Sequence, residues 1–356
     1  MSSAYLDSED FQGLQQLQHL KLYDWDVSHG RLTKALGSVS HVLKTLQLHK
    51  VKGLCPEDLI PRPSRRLPGG RHIDVDCSDN NIINNVKETI NYNRLLTLPH
   101  LEHLCVNIEH DRPSLAIVRV LAMCCPNLEH LSIETTDAFK GIPLANTLRI
   151  HCPKLAFLAF NCGIQLEHNA AYLIRHCCSE PRLAGIDVSV NSSSGGLETA
   201  ILYHASTLRH LKITWWGDQH INSEELVRLL VGCQYLETLS LNFAGEVYVS
   251  DRLLEVMSII PWGGQLQELR LHLPAAPDKR NVPSHRMLME SDKGMLRRPA
   301  EGWELKPPST FPDRQRYLGM NPVRLASLFR SVQQMGCLKE FLYNMVMFSR
   351  VDEFCP

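Results

Sequence analysis

Leucine and its apolar substitutes recur along this chain in a six-residue phrase, L-x-x-L-x-L. The clearest copies are Leu128-Glu129-His130-Leu131-Ser132-Ile133, behind Cys125-Pro126-Asn127, and Leu155-Ala156-Phe157-Leu158-Ala159-Phe160, behind Cys152-Pro153-Lys154; their offset is 27 residues. Towards the C-terminus the phrase returns at Leu183, Ile186 and Val188; Leu208, Leu211 and Ile213; Leu236, Leu239 and Leu241; and Leu266, Leu269 and Leu271. Towards the N-terminus it stands at Leu101, Leu104 and Val106, at Leu43, Leu46 and Leu48, and at Leu17, Leu20 and Leu22, with a degenerate copy at Gly70, Ile73 and Val75. A weak last copy is Leu338, Phe341 and Tyr343. From Leu17 to Leu266 the steps are 26, 27, 31, 27, 27, 28, 25, 28 and 30 residues.

Alternation in the second half of the phrase predicts a strand with both apolar residues on one face. One strand cannot bury that face alone, so neighbouring copies must stack. Between the phrases, Ser114–Cys124, Ile142–His151, Glu167–Cys177, Leu197–His204, Ser223–Val231 and Asp251–Ile260 carry apolar residues at helical spacing. Ser114, Ser223 and Asp251 are N-cap candidates. Strand then helix at this period predicts an α/β leucine-rich-repeat solenoid: a curved parallel β-sheet on the concave face, helices on the convex face. The expected organisation is one domain over residues 1–356 with about 11 repeats.

Two stretches break the rhythm. Residues 274–320 carry Pro274, Pro277, Pro283, Pro299, Pro307, Pro308 and Pro312 among several arginines, and are expected to be a flexible insertion. A smaller Pro- and Arg-rich stretch, Pro61 to Gly70, is expected to loosen the repeat around it. Cys125, Cys152 and Cys233 each stand three residues before the first leucine of their copy, a slot filled by Ala205 and Gly263 elsewhere, which selects for a small buried side chain.

Composition narrows the function. A formal net charge of −1 offers no general attraction to nucleic acid or an anionic membrane, so neither is an expected partner. No apolar run reaches the roughly 18 residues of a membrane span, and the charged N-terminal stretch does not read as a signal peptide. Twelve cysteines in such a chain suggest free thiols in the cytoplasm or nucleus. No nucleophile elbow, phosphate loop or metalloprotease helix is present, so no enzyme activity and no cofactor are expected.

The residues around the middle leucine point away from the core. Five histidines, His19, His72, His103, His130 and His210, share one register there. His72, His103 and His130 are expected to form a ladder on consecutive strands, flanked by Asp74 and Asp76 with Glu134 nearby. Such a ladder suits a polar protein-binding surface better than a transition-metal site. Lys212 joins this face beside His210. Trp215 and Trp216 follow the strand: either one of them is exposed at the rim as a partner anchor, or the local turn buries both against the next repeat.

The segments CCPNLEHLSI (Cys124–Ile133) and HCPKLAFLAF (His151–Phe160) resemble the cysteine-containing leucine-rich repeats of F-box proteins, and the likeness extends roughly from Phe11 to Phe348. The resemblance implies a repeat arc that captures a protein or peptide substrate for ubiquitination, joined to a cullin-ligase adaptor through an F-box. The F-box itself is not expected here: Cys55-Pro56-Glu57-Asp58-Leu59-Ile60 superficially matches the start of one but reads as a loop. The alternative is a stand-alone scaffold or inhibitor unrelated to ubiquitin.

Overall fold

The computed structural model of the chain describes residues 4–5, 14–27, 31–51, 96–108, 114–135, 141–162, 167–190, 196–216, 223–244, 265–272, 303–306, 340–343 and 346–350. It divides into two compact units, Met1–Asp137 with Asn146–Leu155, and Ala138–Ala145 with Ala156–Pro356.

The first unit holds strands β1 (Ala4–Tyr5), β2 (His19–Tyr23), β3 (Trp25–Asp26), β4 (Thr45–His49), β5 (His103–Ile108) and β6 (His130–Thr135), with helices α1 (Arg31–Val39) and α2 (Ser114–Cys124). Strands β2, β4, β5 and β6 lie side by side, all parallel. A separate pair is formed by β1 and β3. Helix α3 (Gly141–His151) is shared between the units. The second unit holds β7 (Phe157–Cys162), α4 (Glu167–His176), β8 (Gly185–Val190), α5 (Leu197–Leu202), β9 (His210–Trp216), α6 (Ser223–Gly232), β10 (Thr238–Ala244), β11 (Glu268–His272), β12 (Trp303–Lys306), β13 (Glu340–Tyr343) and β14 (Val346–Arg350). Its sheet runs β7-β8-β9-β10-β11-β13 in parallel and then β14 and β12 antiparallel.

Each unit is thus an α/β arrangement in which parallel strands alternate with helices. The first leucine of a copy is buried at the turn into the strand, and the next two apolar positions are buried beneath it: Leu128, Leu131 and Ile133 in the first unit, Leu236, Leu239 and Leu241 in the second. The same corner is built repeatedly. The amide of Leu17, Leu101, Leu128 and Leu155 donates to the carbonyl three residues earlier, at Leu14, Leu98, Cys125 and Cys152. One carbonyl then receives two amides of the next copy, as Glu102 receives Glu129 and His130, and Arg209 receives Glu237 and Thr238. The slot reserved for small residues holds Cys125, Cys152 and Cys233, all buried; the Cys152 thiol donates to the Ala122 carbonyl at 3.3 Å.

At the far ends of β2 and β4 the backbone turns through the left-handed region at Asp24 (φ 57°) and Lys50 (φ 53°). Each donates its amide to the neighbouring strand, Asp24 to His49 O at 2.9 Å and Lys50 to Asn107 O at 3.0 Å. The shared conformation lets the chain leave the sheet without wasting the last ladder bond.

One expectation needs correction. The copy at 70–75 does not stand between the first unit's strands: β4 pairs directly with β5, Leu46 opposite Leu104 and Leu48 opposite Val106. Residues 70–75 themselves lie outside the described residues. Within the 274–320 stretch, Trp303–Lys306 forms β12, antiparallel to β14, and the remainder lies outside the described residues. The weak last copy does supply β13, paired with β11 in the repeat register, Phe341 opposite Leu269 and Tyr343 opposite Leu271. The helix expected over 251–260 lies outside the described residues.

Candidate functional site

Leucine burial on one face leaves the alternate side chains of each sheet on the other. In the first unit, His103 and His130 stand opposite one another with rings stacked 4.3 Å apart at 25°. Burial, and secondarily the His103 ring, pull the His130 imidazole below its ordinary range, against an opposing pull from Glu129. His130 is therefore biased to the neutral form. Two residues along, Asn107 Nδ2 donates to Glu134 at 2.6 Å. Between them lie Cys105 and Ser132; burial is the chief reason the Cys105 thiol is pushed up. At the other edge His19 Nδ1 and Thr45 Oγ1 share a hydrogen bond of 3.0 Å. At the opposite end of β4, His49 Nε2 is buried with no hydrogen-bond partner among the described residues, its ring 6.2 Å from that of Tyr23.

In the second unit the open face is paired the same way. His210 Nδ1 and Thr238 Oγ1 are 2.9 Å apart, and Lys212 Nζ donates to Asp187 at 2.8 Å. The exposed ion pair fixes side-chain direction more than it adds stability. Arg270 pairs with Glu268 two residues away on β11. Phe157 lies across Gly185 on the next strand: a Cβ at position 185 would meet Phe157 Cδ2 at 2.0 Å. That glycine is required for the phenyl ring to lie flat on the sheet.

The expected site residues are thus distributed unevenly. His103, His130 and Glu134 lie together on one open face, and His210 with Lys212 on the other unit's face. His72, Asp74 and Asp76 lie outside the described residues, and the three-rung ladder expected through His72 is not built, since Thr45 is the neighbour of His103 on that side. Trp215 is a correction. It is buried at 6% exposure and stacks on Phe243 at 4.8 Å and 4°. Strand β9 continues past Ile213, so alternation sends Trp215 inward with Leu211 and Ile213. Trp216 is the last residue of β9; its side chain lies outside the description.

Asn107, Asp187, Thr238 and Phe157 were not singled out from sequence. A signal for three of them existed: Asn107–Glu134, Asp187–Lys212 and His210–Thr238 are separated by 27, 25 and 28 residues. Complementary polar residues one period apart are in register on adjacent strands. Among the described residues, no group of three or more His, Cys, Asp or Glu side chains is arranged to hold a metal ion, and no helix is long and apolar enough to cross a membrane. No protein-family model matches the chain, and no curated protein is significantly similar to it in sequence.

Proposed function

We propose that this chain is a non-catalytic leucine-rich-repeat module that holds a protein or peptide on the open face of its parallel strands. The observation that carries this reading is the cross-strand pairing of that face. Its polar side chains are already held by their neighbours, at His19–Thr45, Asn107–Glu134, His210–Thr238 and Lys212–Asp187. Side chains fixed before binding lose less rotamer freedom on association.

The setting we infer is the substrate-recognition repeat region of an F-box-type ubiquitin ligase receptor, in the cytoplasm or nucleus. It rests on the resemblance of the Cys124–Ile133 and His151–Phe160 segments. Affinity capture from a eukaryotic extract tests it, with the triple variant His103→Ala, His130→Ala, Lys212→Ala run in parallel. A specific protein lost in the triple variant supports the binding face. Co-capture of the cullin-ligase adaptor with the wild-type chain supports the ligase setting. A specific partner without the adaptor leaves a stand-alone scaffold. Capture that is identical for wild type and variant would refute the face.

A further inference from the structure

The corner between α4 and β8 holds two adjacent cysteines that the open face does not use. Cys177 and Cys178 have their sulfurs 3.7 Å apart. Successive residues of an α-helix diverge by about 100°, and the pair meets because the helix has ended at His176. Cys177 is fully buried, whereas Cys178 keeps 6% of its surface in solvent.

We propose that Cys177 and Cys178 are a redox-active dithiol, a modification site that peroxide closes to an intra-pair disulfide and that thiols reopen. The proposal does not rest on the binding reading above. Cys178 is the attacking sulfur: a hydrogen bond from the Cys177 thiol favours its thiolate, Arg182 adds to this, and burial opposes it. The Cys178 thiolate attacks one peroxide oxygen and the O–O bond breaks. After proton uptake this leaves a sulfenic acid on Cys178 and one water. Cys177 then attacks the Cys178 sulfur, its proton goes to the leaving hydroxyl, and a second water departs. Two thiols have given two electrons to the peroxide, and the product is one disulfide.

Two comparisons favour reversibility and selectivity. Adjacent Cα atoms are about 3.8 Å apart across a trans peptide, less than the roughly 4.4–6.8 Å of relaxed disulfides. The ring is therefore strained and readily reduced. The other adjacent pair, Cys124 and Cys125, has no comparable activation, because burial pushes Cys124 up to about 12 and Cys125 well above its ordinary range.

Closure also acts on its surroundings. The Cys177 sulfur lies 3.5 Å from the Ile174 carbonyl, an alternative acceptor for its single proton, and that carbonyl accepts from His204 Nε2 at 2.9 Å. His204 Nδ1 in turn accepts the Arg182 and Leu183 amides at 3.3 and 3.4 Å. These amides lead into β8, which carries Gly185 and Asp187. The modification would thus be sensed where the chain enters the open face.

The test uses the full reduced chain, a brief exposure to dilute hydrogen peroxide, unfolding, alkylation with iodoacetamide, and peptide mass analysis. The expected peptide spanning Cys177 and Cys178 has lost two hydrogen atoms and accepts no alkyl group. Both positions become alkylatable after dithiothreitol, while the Cys124–Cys125 peptide alkylates fully throughout. In Cys178→Ser, Cys177 should stay alkylatable at the same exposure. Because that variant tests folding as well, the Cys124–Cys125 peptide of the wild-type chain is the decisive internal control. Any of three results overturns the proposal: both thiols still alkylatable, Cys178 carried to sulfinic acid with Cys177 free, or a bond from either to another cysteine.

Discussion

His204→Asn is the sharpest test of how one copy is fastened to the next in the second unit. His204 has no exposed surface. Its Nδ1 accepts the amides of Arg182 and Leu183, and its Nε2 donates to Ile174 O. One ring therefore ties the end of α4 to the start of β8. Asparagine can present an oxygen near the Nδ1 position, so the two amides keep an acceptor, but the bond to Ile174 is lost and part of the ring volume is emptied. A buried hydrogen bond contributes about 1 kcal/mol net, and a small cavity adds about 1–2 kcal/mol. The local loss should be about 2–3 kcal/mol, which lowers hydrogen-exchange protection of the Leu183 amide by roughly 30- to 160-fold.

Acid should narrow the gap between the two proteins. Burial first, and Arg175 second, hold the His204 imidazole below its ordinary range, with the Ile174 carbonyl opposing them. A depressed folded-state value means the unfolded chain takes up the proton first. Stability from this group is intact above the unfolded value of about 6.5 and declines as pH falls from there through the folded value. The decline is at most about 1.4 kcal/mol per pH unit. Exchange at the Arg182 and Leu183 amides, followed from pH 7.5 downward, reads both effects. Wild type should lose protection in acid beyond what the variant loses. Equal protection in the two proteins at neutral pH, or parallel pH curves, would refute the staple.

Two other perturbations check the open face. Gly185→Ala should destabilise the second unit by about 1–3 kcal/mol through collision with Phe157, and Phe157→Ala should recover most of that loss; urea melts of both singles and the double variant measure it, and additive losses would contradict the contact. His130 should titrate below an ordinary histidine in NMR, following the burial and the His103 neighbour that depress it, and should move upward in His103→Ala; an unshifted curve in that variant would remove His103 as a cause.

The repeated strand was readable because the L-x-L alternation is enforced by burial: Leu131 with Ile133, and Leu239 with Leu241, sit where the phrase puts them. Helix positions followed from the same requirement, as at Ser114–Cys124. What could not be read was how far each strand continues. Trp215 and Phe243 extend the buried row by one further step, and nothing in the six-residue phrase marks that. Which copies stand side by side also escaped, since spacing alone placed the 70–75 phrase between the Leu43 and Leu101 copies, whereas β4 pairs directly with β5. On the open face the histidine register was legible, whereas its partners required knowing that residues one period apart are neighbours. Strands β12 and β14 pair antiparallel, outside the period altogether.

The direct pairing of β4 with β5 separates distance along the chain from distance in the fold. His49 and Asn107 are register partners although some two periods of sequence lie between them. The entropy of closing such an excursion grows only logarithmically, about 0.6 kcal/mol for each doubling of its length. The ladder is therefore insulated from what happens there. A change in chain length between the two strands alters that closure term by a fraction of a kcal/mol, while the register of Leu46 with Leu104 and of Leu48 with Val106 is held by the burial of those four side chains.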